Sequence, residues 1–263
     1  MSITDLILFL AARNLQERDL VNNNNKKTVL ITGGARRVGA VIAEHLAAEG
    51  WDIVIHYNRS LDKAHALCLR LEDTYSIKAC SVCGDFSKEF AAGKVLESTI
   101  AQAGRIDALI NNAAIYSIKS LKDATTGDWD IFSQVNTRAP IQLTELFAAH
   151  LKGLKRPGAV VNILDQRIIN PKCETTPYLV SKRELASFTL CAATDFAPDI
   201  RVNAVAPGSV LTAELAVEKE PAGEFLLSHR PKPQCVAEAV SYLLTAKSVT
   251  GQTIFTDSGQ HLL

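Results

Sequence analysis

The 263-residue sequence predicts an α/β protein, a single domain built on a doubly wound, parallel sheet of seven strands. Three observations predict it. From Thr28 onward, short β-branched runs alternate with amphipathic helical stretches. The candidate strands are continuous apolar runs, the pattern of strands covered on both faces. The composition, 47% hydrophobic and 21% charged with no internal repeat, supports one large core. The domain is expected over 28–263, and an extension with a polar linker over 1–27.

Each element can be justified in turn. "TVLIT" (28–32) is the first strand; it breaks at Gly33 and Gly34, and "RRVGAVIAEHLAAEG" then carries a helical period. "DIVIHY" (52–57), "KACSVCG" (78–84) and "IDALIN" (106–111) supply the next three strands. "GAVVNIL" (158–164), "IRVNAVA" (200–206) and "QTIFTD" (252–257) complete the seven, with the helical "VAEAVSYLLTA" before the last.

The bulk numbers exclude several classes. A net charge of zero gives no general attraction to nucleic acid or to an acidic membrane, so any anion site must be local. Leu6 to Ala12 is an apolar run far shorter than the ~20 residues that span a bilayer. Asp5 near the start and the lack of a basic leader argue against secretion, so a cytoplasmic protein is expected. The extension is expected to form a short amphipathic helix and then the polar linker Asn22 to Lys27. The six cysteines, Cys68, Cys80, Cys83, Cys173, Cys191 and Cys235, are expected to be reduced core residues. Cys80 and Cys83 form a C-x-x-C, but on a strand they point to opposite faces and no second pair accompanies them, so no metal is expected.

The chemistry starts at the first strand–helix turn. In open α/β sheets ligands bind at the carboxyl ends of the strands. Gly33 and Gly34 permit a tight turn and close backbone approach, Gly39 lets the helix pack near the strand, and the helix start offers N–H groups to a pyrophosphate. Such a turn predicts a Rossmann-like dinucleotide site, lined by Gly33, Arg36, Arg37, Val38 and Gly39. Arg36 and Arg37 sit where the helix dipole disfavours cations, which argues for a bound anion. The second strand ends in His56, Tyr57, Asn58, Arg59 and Ser60, with no carboxylate before Asp62. An acid there would hold a ribose hydroxyl; Arg59 and Ser60 instead suit a 2′-phosphate, so NADPH is favoured over NADH. Tyr178 and Lys182, four apart in "YLVSK", share a helix face, and a cation beside the phenol is expected to lower its pKa.

"TGGARRVG", "NNAA", "YLVSK" and "NAVAPGSV", in this order and spacing, resemble the short-chain dehydrogenase/reductase family from Thr28 to the C-terminus. The resemblance implies Tyr178 as proton donor and Lys182 as its partner at the nicotinamide ribose. It implies that Asn136 holds a relay water, that Asn111 and Ala113 meet the adenosine ribose, and that Asp85, with Phe86 beside it, faces the adenine. Pro207 and Gly208 would line the nicotinamide end. It also implies a substrate lid over 209–233, where His229 and Arg230 are expected to be solvated, and a homotetramer.

One departure is informative. The family's usual serine, thirteen residues before the tyrosine, is Asp165 here. A carboxylate beside a simple carbonyl would repel the developing oxyanion, but it suits a substrate that offers N–H donors or needs a proton on a ring nitrogen. This aspartate resembles that of the pteridine and dihydromonapterin (dihydrofolate) reductases, as do Arg37, "HYNRS" and Tyr116, whose ring would stack on the pterin. The implied activity is NADPH-dependent reduction of a dihydropterin, with Arg37, Tyr116, Asp165 and Tyr178 at the substrate. Two alternatives are a general carbonyl or 3-oxoacyl reductase and a non-catalytic NADPH-binding sensor or scaffold.

Overall fold

The computed structural model describes residues 26–170, 174–210 and 225–263. Residues 1–25 of the expected extension, Cys173 and most of the expected lid, 211–224, lie outside them. Among the described residues seven strands form one parallel sheet: β1 (Thr28–Ile31), β2 (Asp52–Tyr57), β3 (Ala79–Cys83), β4 (Ala108–Asn111), β5 (Gly158–Ile163), β6 (Ile200–Pro207) and β7 (Thr253–Thr256). Their spatial order is β3-β2-β1-β4-β5-β6-β7. β1 pairs with β2 through Leu30↔Val54 and with β4 through Leu30↔Leu109, so the winding reverses beside β1. That reversal opens the crevice at the carboxyl ends of β1 and β4.

The continuous apolar runs have a direct explanation. Along β1, Val29 and Ile31 face one core and Leu30 the other. Ile53 and Ile55 of β2 likewise oppose Val54, and Ala108 and Ile110 of β4 oppose Leu109. Helices α1 (Arg37–Ala48), α2 (Leu61–Tyr75) and α7 (Pro233–Thr245) cover the first face. Helices α3 (Ala91–Ala103), α5 (Ala139–Leu154) and α6 (Thr176–Asp195) cover the second. Burying one such Leu or Ile contributes about 1.5–3 kcal/mol, and the buried polar residues of β2 and β4, His56 and Asn111, stand at or next to the strands' carboxyl ends.

The ends of the helices follow local rules. Proline stands in the first turn of α5, α6 and α7, where its missing N–H costs nothing. The short α4 (Thr126–Ser133) starts with a reciprocal capping box between Thr125 and Asp128. It runs into a π-helical turn, Gln134–Arg138, before α5 begins. Such turns interrupt helices where a side chain must be re-aimed, and this one carries Asn136.

The cysteine expectation needs correction. Cys68 is buried and Cys80 half-buried, but Cys83, Cys191 and Cys235 are exposed, and all five are free thiols. A strand or helix pattern does not say where a sheet edge or helix flank meets water. Among the described residues no helix is long and apolar enough to cross a membrane.

Candidate active site

The turn after β1 is built by close packing. Gly33 has φ +63°, the left-handed region that glycine occupies without strain. A Cβ on Gly39 would lie 2.4 Å from the Gly33 carbonyl oxygen and 2.9 Å from Gly34 Cα, so only glycine lets α1 come this near. Arg37 also has φ +54°, which a non-glycine residue adopts at a cost of about 1–2 kcal/mol. The arginine therefore stands at a position whose backbone favours glycine. Arg36 and Arg37 are both exposed at the crevice rim.

Two bracing networks hold that turn. Thr32 Oγ1 accepts the N–H groups of Asn112 at 2.9 Å and Ala113 at 3.0 Å, while Asn112 Nδ2 donates to Thr32 O at 2.8 Å. His56 is 2% exposed; its Nδ1 accepts from Gly33 N at 3.1 Å and its Nε2 lies 3.0 Å from Gly84 O. The proton therefore sits on Nε2. Burial pushes the imidazole down to about 4, so it stays neutral, and Phe86 stacks on it at 4.3 Å. His56 thus ties the β1 turn to the end of β3, and sequence reading had grouped it with residues meant to touch cofactor directly.

The crevice has a volume of about 700 Å³. Gly33, Arg36, Arg37, Val38 and Gly39 line it at one end, as do His56, Tyr57, Asn58, Arg59 and Ser60. Asp85, Phe86 and Ala113 form a side wall, and Tyr178, Lys182 and Pro207 lie at the other end. Hydrogen bonds from Ser87 hold the Asp85 carboxyl below its usual range, with smaller contributions from Lys88 and Arg59. The cavity joins a glycine turn, a cationic rim and a Tyr–Lys pair, which fits a dinucleotide.

Two residues sit elsewhere. Asn111 points into the sheet, donating to Asn162 Oδ1 at 2.9 Å and Thr144 Oγ1 at 3.2 Å. Its neighbour Asn112 lines the crevice instead; strand alternation at the end of "IDALIN" was the available signal. Gly208 is packed, with a Cβ there meeting Gln260 Oε1 at 2.4 Å. Arg230 is half-buried rather than solvated: its Nη1 donates to Ser209 O and Oγ at 2.7 Å, and it lies over Phe225. His229 is exposed.

The other end of the crevice centres on Tyr178, on the first turn of α6. Its hydroxyl donates to Asp165 Oδ2 at 3.1 Å. Burial and the Asp165 charge push the phenol well above its ordinary value, opposite to the expected lowering. Lys182 lies 6.0 Å from the phenol ring and donates to Ile163 O at 2.7 Å; burial lowers it to about 8. Tyr116, 56% exposed, meets Tyr178 edge to face at 5.0 Å. Asn136 is fully buried: Oδ1 accepts from Ile115 N at 2.9 Å, and Nδ2 donates to Ile115 O at 3.0 Å and Ser181 Oγ at 3.1 Å. It joins the Tyr116 loop to α6.

Sequence reading missed Arg167. Its Nε and Nη2 donate to Asp165 Oδ1 and Oδ2 at 3.0 and 2.9 Å, a bidentate fork. The guanidinium also lies 5.8 Å from the ring centres of both Tyr116 and Tyr178. The sequence carried only a weak signal for it, opposite charges two apart in "DQR".

Comparison with known proteins agrees with this architecture. The alternative dihydrofolate reductase 1 (FolM) of Brucella suis, solved with NADP, is 36% identical with a TM-score of 0.82, over 90% of this chain and 96% of that one. Its Brucella canis counterpart, also solved with NADP, is 34% identical with a TM-score of 0.82, over 90% and 95%. The 3-oxoacyl-(acyl-carrier-protein) reductase FabG of Staphylococcus epidermidis is 27% identical over 248 residues, 90% of this chain and 99% of that protein. The family model described as short chain dehydrogenase matches residues 27–222, so the chain belongs to the short chain dehydrogenase family.

Proposed function

We propose that the protein reduces a dihydropterin to its tetrahydro form with NADPH. The observation that carries this reading is the Tyr178–Asp165 hydrogen bond, a carboxylate against the phenol where simple carbonyl reductases carry a hydroxyl. Tyr116 beside it offers a face for a flat heterocycle. The 34–36% identity to two alternative dihydrofolate reductases supports it further. Arg59 and Ser60, with no acid at the end of β2, support NADPH over NADH.

When bound, the cofactor supplies hydride to a ring carbon. The protein's own residues do the rest. The Gly33–Gly39 turn, Arg36, Arg37, Arg59 and Ser60 would hold the phosphates, and Lys182 the ribose beside Tyr178. The Tyr178 hydroxyl would turn its one proton from Asp165 to the adjacent ring nitrogen, leaving a phenolate beside the Lys182 charge that takes up a proton from solvent before the next turnover. Asn136 would fix the Tyr116 loop against α6. A cytoplasmic homotetramer, with residues 28–263 as the catalytic domain, completes the reading.

A second reading, reduction of a ketone such as a 3-oxoacyl thioester, draws on one observation: Arg167 offsets the charge of Asp165, which weakens its repulsion of an oxyanion. NADPH oxidation with dihydromonapterin, dihydrobiopterin, dihydrofolate and a 3-oxoacyl thioester separates the two. Turnover of a dihydropterin at the highest kcat/KM is expected. Turnover of the thioester alone overturns the pterin reading, and NADPH binding without turnover of any of them returns the sensor reading.

A further inference from the structure

We infer that Arg167 is a positioning residue, the fixed counter-ion that holds Asp165 in register with the Tyr178 hydroxyl. An ionised carboxylate has about four acceptor sites. Oδ1 of Asp165 accepts Arg167 N at 2.9 Å and Arg167 Nε at 3.0 Å. Oδ2 accepts Arg167 Nη2 at 2.9 Å and Tyr178 Oη at 3.1 Å. Two residues therefore fill the carboxylate, and three of its four bonds come from Arg167. The Tyr178 hydroxyl has one oxygen to address, in one direction.

The pair is shielded from water. The side chains of Arg167 and Asp165 are 21% and 14% exposed, and the fork closes over only two residues of a short 3-10 turn, Gln166–Ile168. Little conformational entropy is lost in forming it, unlike an exposed pair of long side chains. Removing one partner would leave the other charged and poorly solvated. Lys182 donates to Ile163 O and reaches Asp165 through its charge, outside the fork. The two cations divide the site: Lys182 serves the cofactor side of Tyr178 and Arg167 the substrate side, where it also flanks Tyr116.

The inference rests on Tyr178 being the proton donor, and it holds whichever substrate the enzyme reduces. Among the described residues, the charged and titratable groups around the phenol are Asp165, Arg167, Tyr116 and Lys182. The guanidinium favours the phenolate, so Arg167→Met raises the phenol further and displaces the phenol's step in the kcat/KM profile, which lies above that of Lys182, to higher pH.

The test is a double-mutant cycle of Arg167→Met and Asp165→Asn, read as kcat on whichever substrate the wild type turns over, with NADPH affinity measured by fluorescence. Each single change is expected to lower kcat about 10- to 100-fold, the scale of a misplaced proton donor. The double variant should be no worse than the poorer single one, with NADPH affinity within about twofold of wild type. Arg167→Lys, which keeps the charge and loses the fork, should keep the phenol's step at its wild-type pH with a reduced rate; it carries the test if Arg167→Met does not fold. Additive losses in the cycle, or a wild-type rate in Arg167→Lys and Arg167→Met alike, overturn the inference. A wild type active on ketones alone overturns the pterin reading and leaves the cycle interpretable.

Discussion

Arg37 occupies a backbone position that favours glycine, and replacing it separates strain from binding. At φ +54° a side chain costs about 1–2 kcal/mol, while a glycine there loses about 0.5–1 kcal/mol to the greater freedom of the unfolded chain. Arg37→Gly and Arg37→Ala both delete the guanidinium, and only the first relieves the strain. Without cofactor, Arg37→Gly should be more stable than Arg37→Ala by roughly 0.5–1 kcal/mol, or about 1–4 °C in Tm for a domain of this size. Both should bind NADPH less tightly. One charge-assisted hydrogen bond contributes about 1.5–3 kcal/mol, so Kd should rise about 10- to 100-fold in each. Differential scanning fluorimetry and fluorescence titration measure the two effects on the same samples. Equal melting temperatures for the two variants refute the strain argument, and an unchanged Kd refutes the role of Arg37 at the phosphates.

Three further outcomes are expected. Tyr178→Phe should abolish turnover and leave NADPH affinity nearly intact; wild-type rates in that variant would remove the phenol from proton transfer. Arg59→Ala should weaken NADPH far more than NADH, and equal losses would overturn the 2′-phosphate assignment. Burial of His56 lowers its value from 6.5 to about 4, so the unfolded chain takes up a proton before the folded one as pH falls. Stability tied to this residue is thus full above pH ~6.5 and lost progressively down to pH ~4, by about 3 kcal/mol in all. Urea unfolding across that range should show a steeper loss for wild type than for His56→Gln, and parallel curves would contradict it.

The five inner strands were legible because burial on both faces forces an apolar run, while the edge strands β3 and β7 are mostly half-buried; all seven runs became strands within a residue or two. The crevice was legible because its backbone demands are severe: only glycine fits where a Cβ would meet a carbonyl at 2.4 Å, as at Gly39. Side-chain direction at strand ends was less legible. "NNAA" offers two asparagines, and the pleat sends Asn111 to Asn162 and Thr144 while Asn112 braces the turn. His56 illustrates the same limit, since its place in a motif does not reveal that both ring nitrogens are spent on backbone. The Asp165–Arg167 pair was least legible, because i and i+2 partners meet only when the chain turns tightly, and the run "ILDQRIIN" does not announce a 3-10 turn.

That missed pair changes how the site balances its charge. From sequence, Asp165 looked like a lone anion beside a phenol whose lysine partner would ease ionisation. In the folded chain the anion is filled by Arg167, the phenol is pushed up by burial and by Asp165, and the lysine is lowered to about 8. Tyr178 is then held in its protonated form before any ligand arrives. A phosphate- and hydroxyl-rich cofactor against Lys182 would favour its charged form and, through it, the phenolate. Proton release by Tyr178 would thus be eased most at alkaline pH, where Lys182 would otherwise lose its charge.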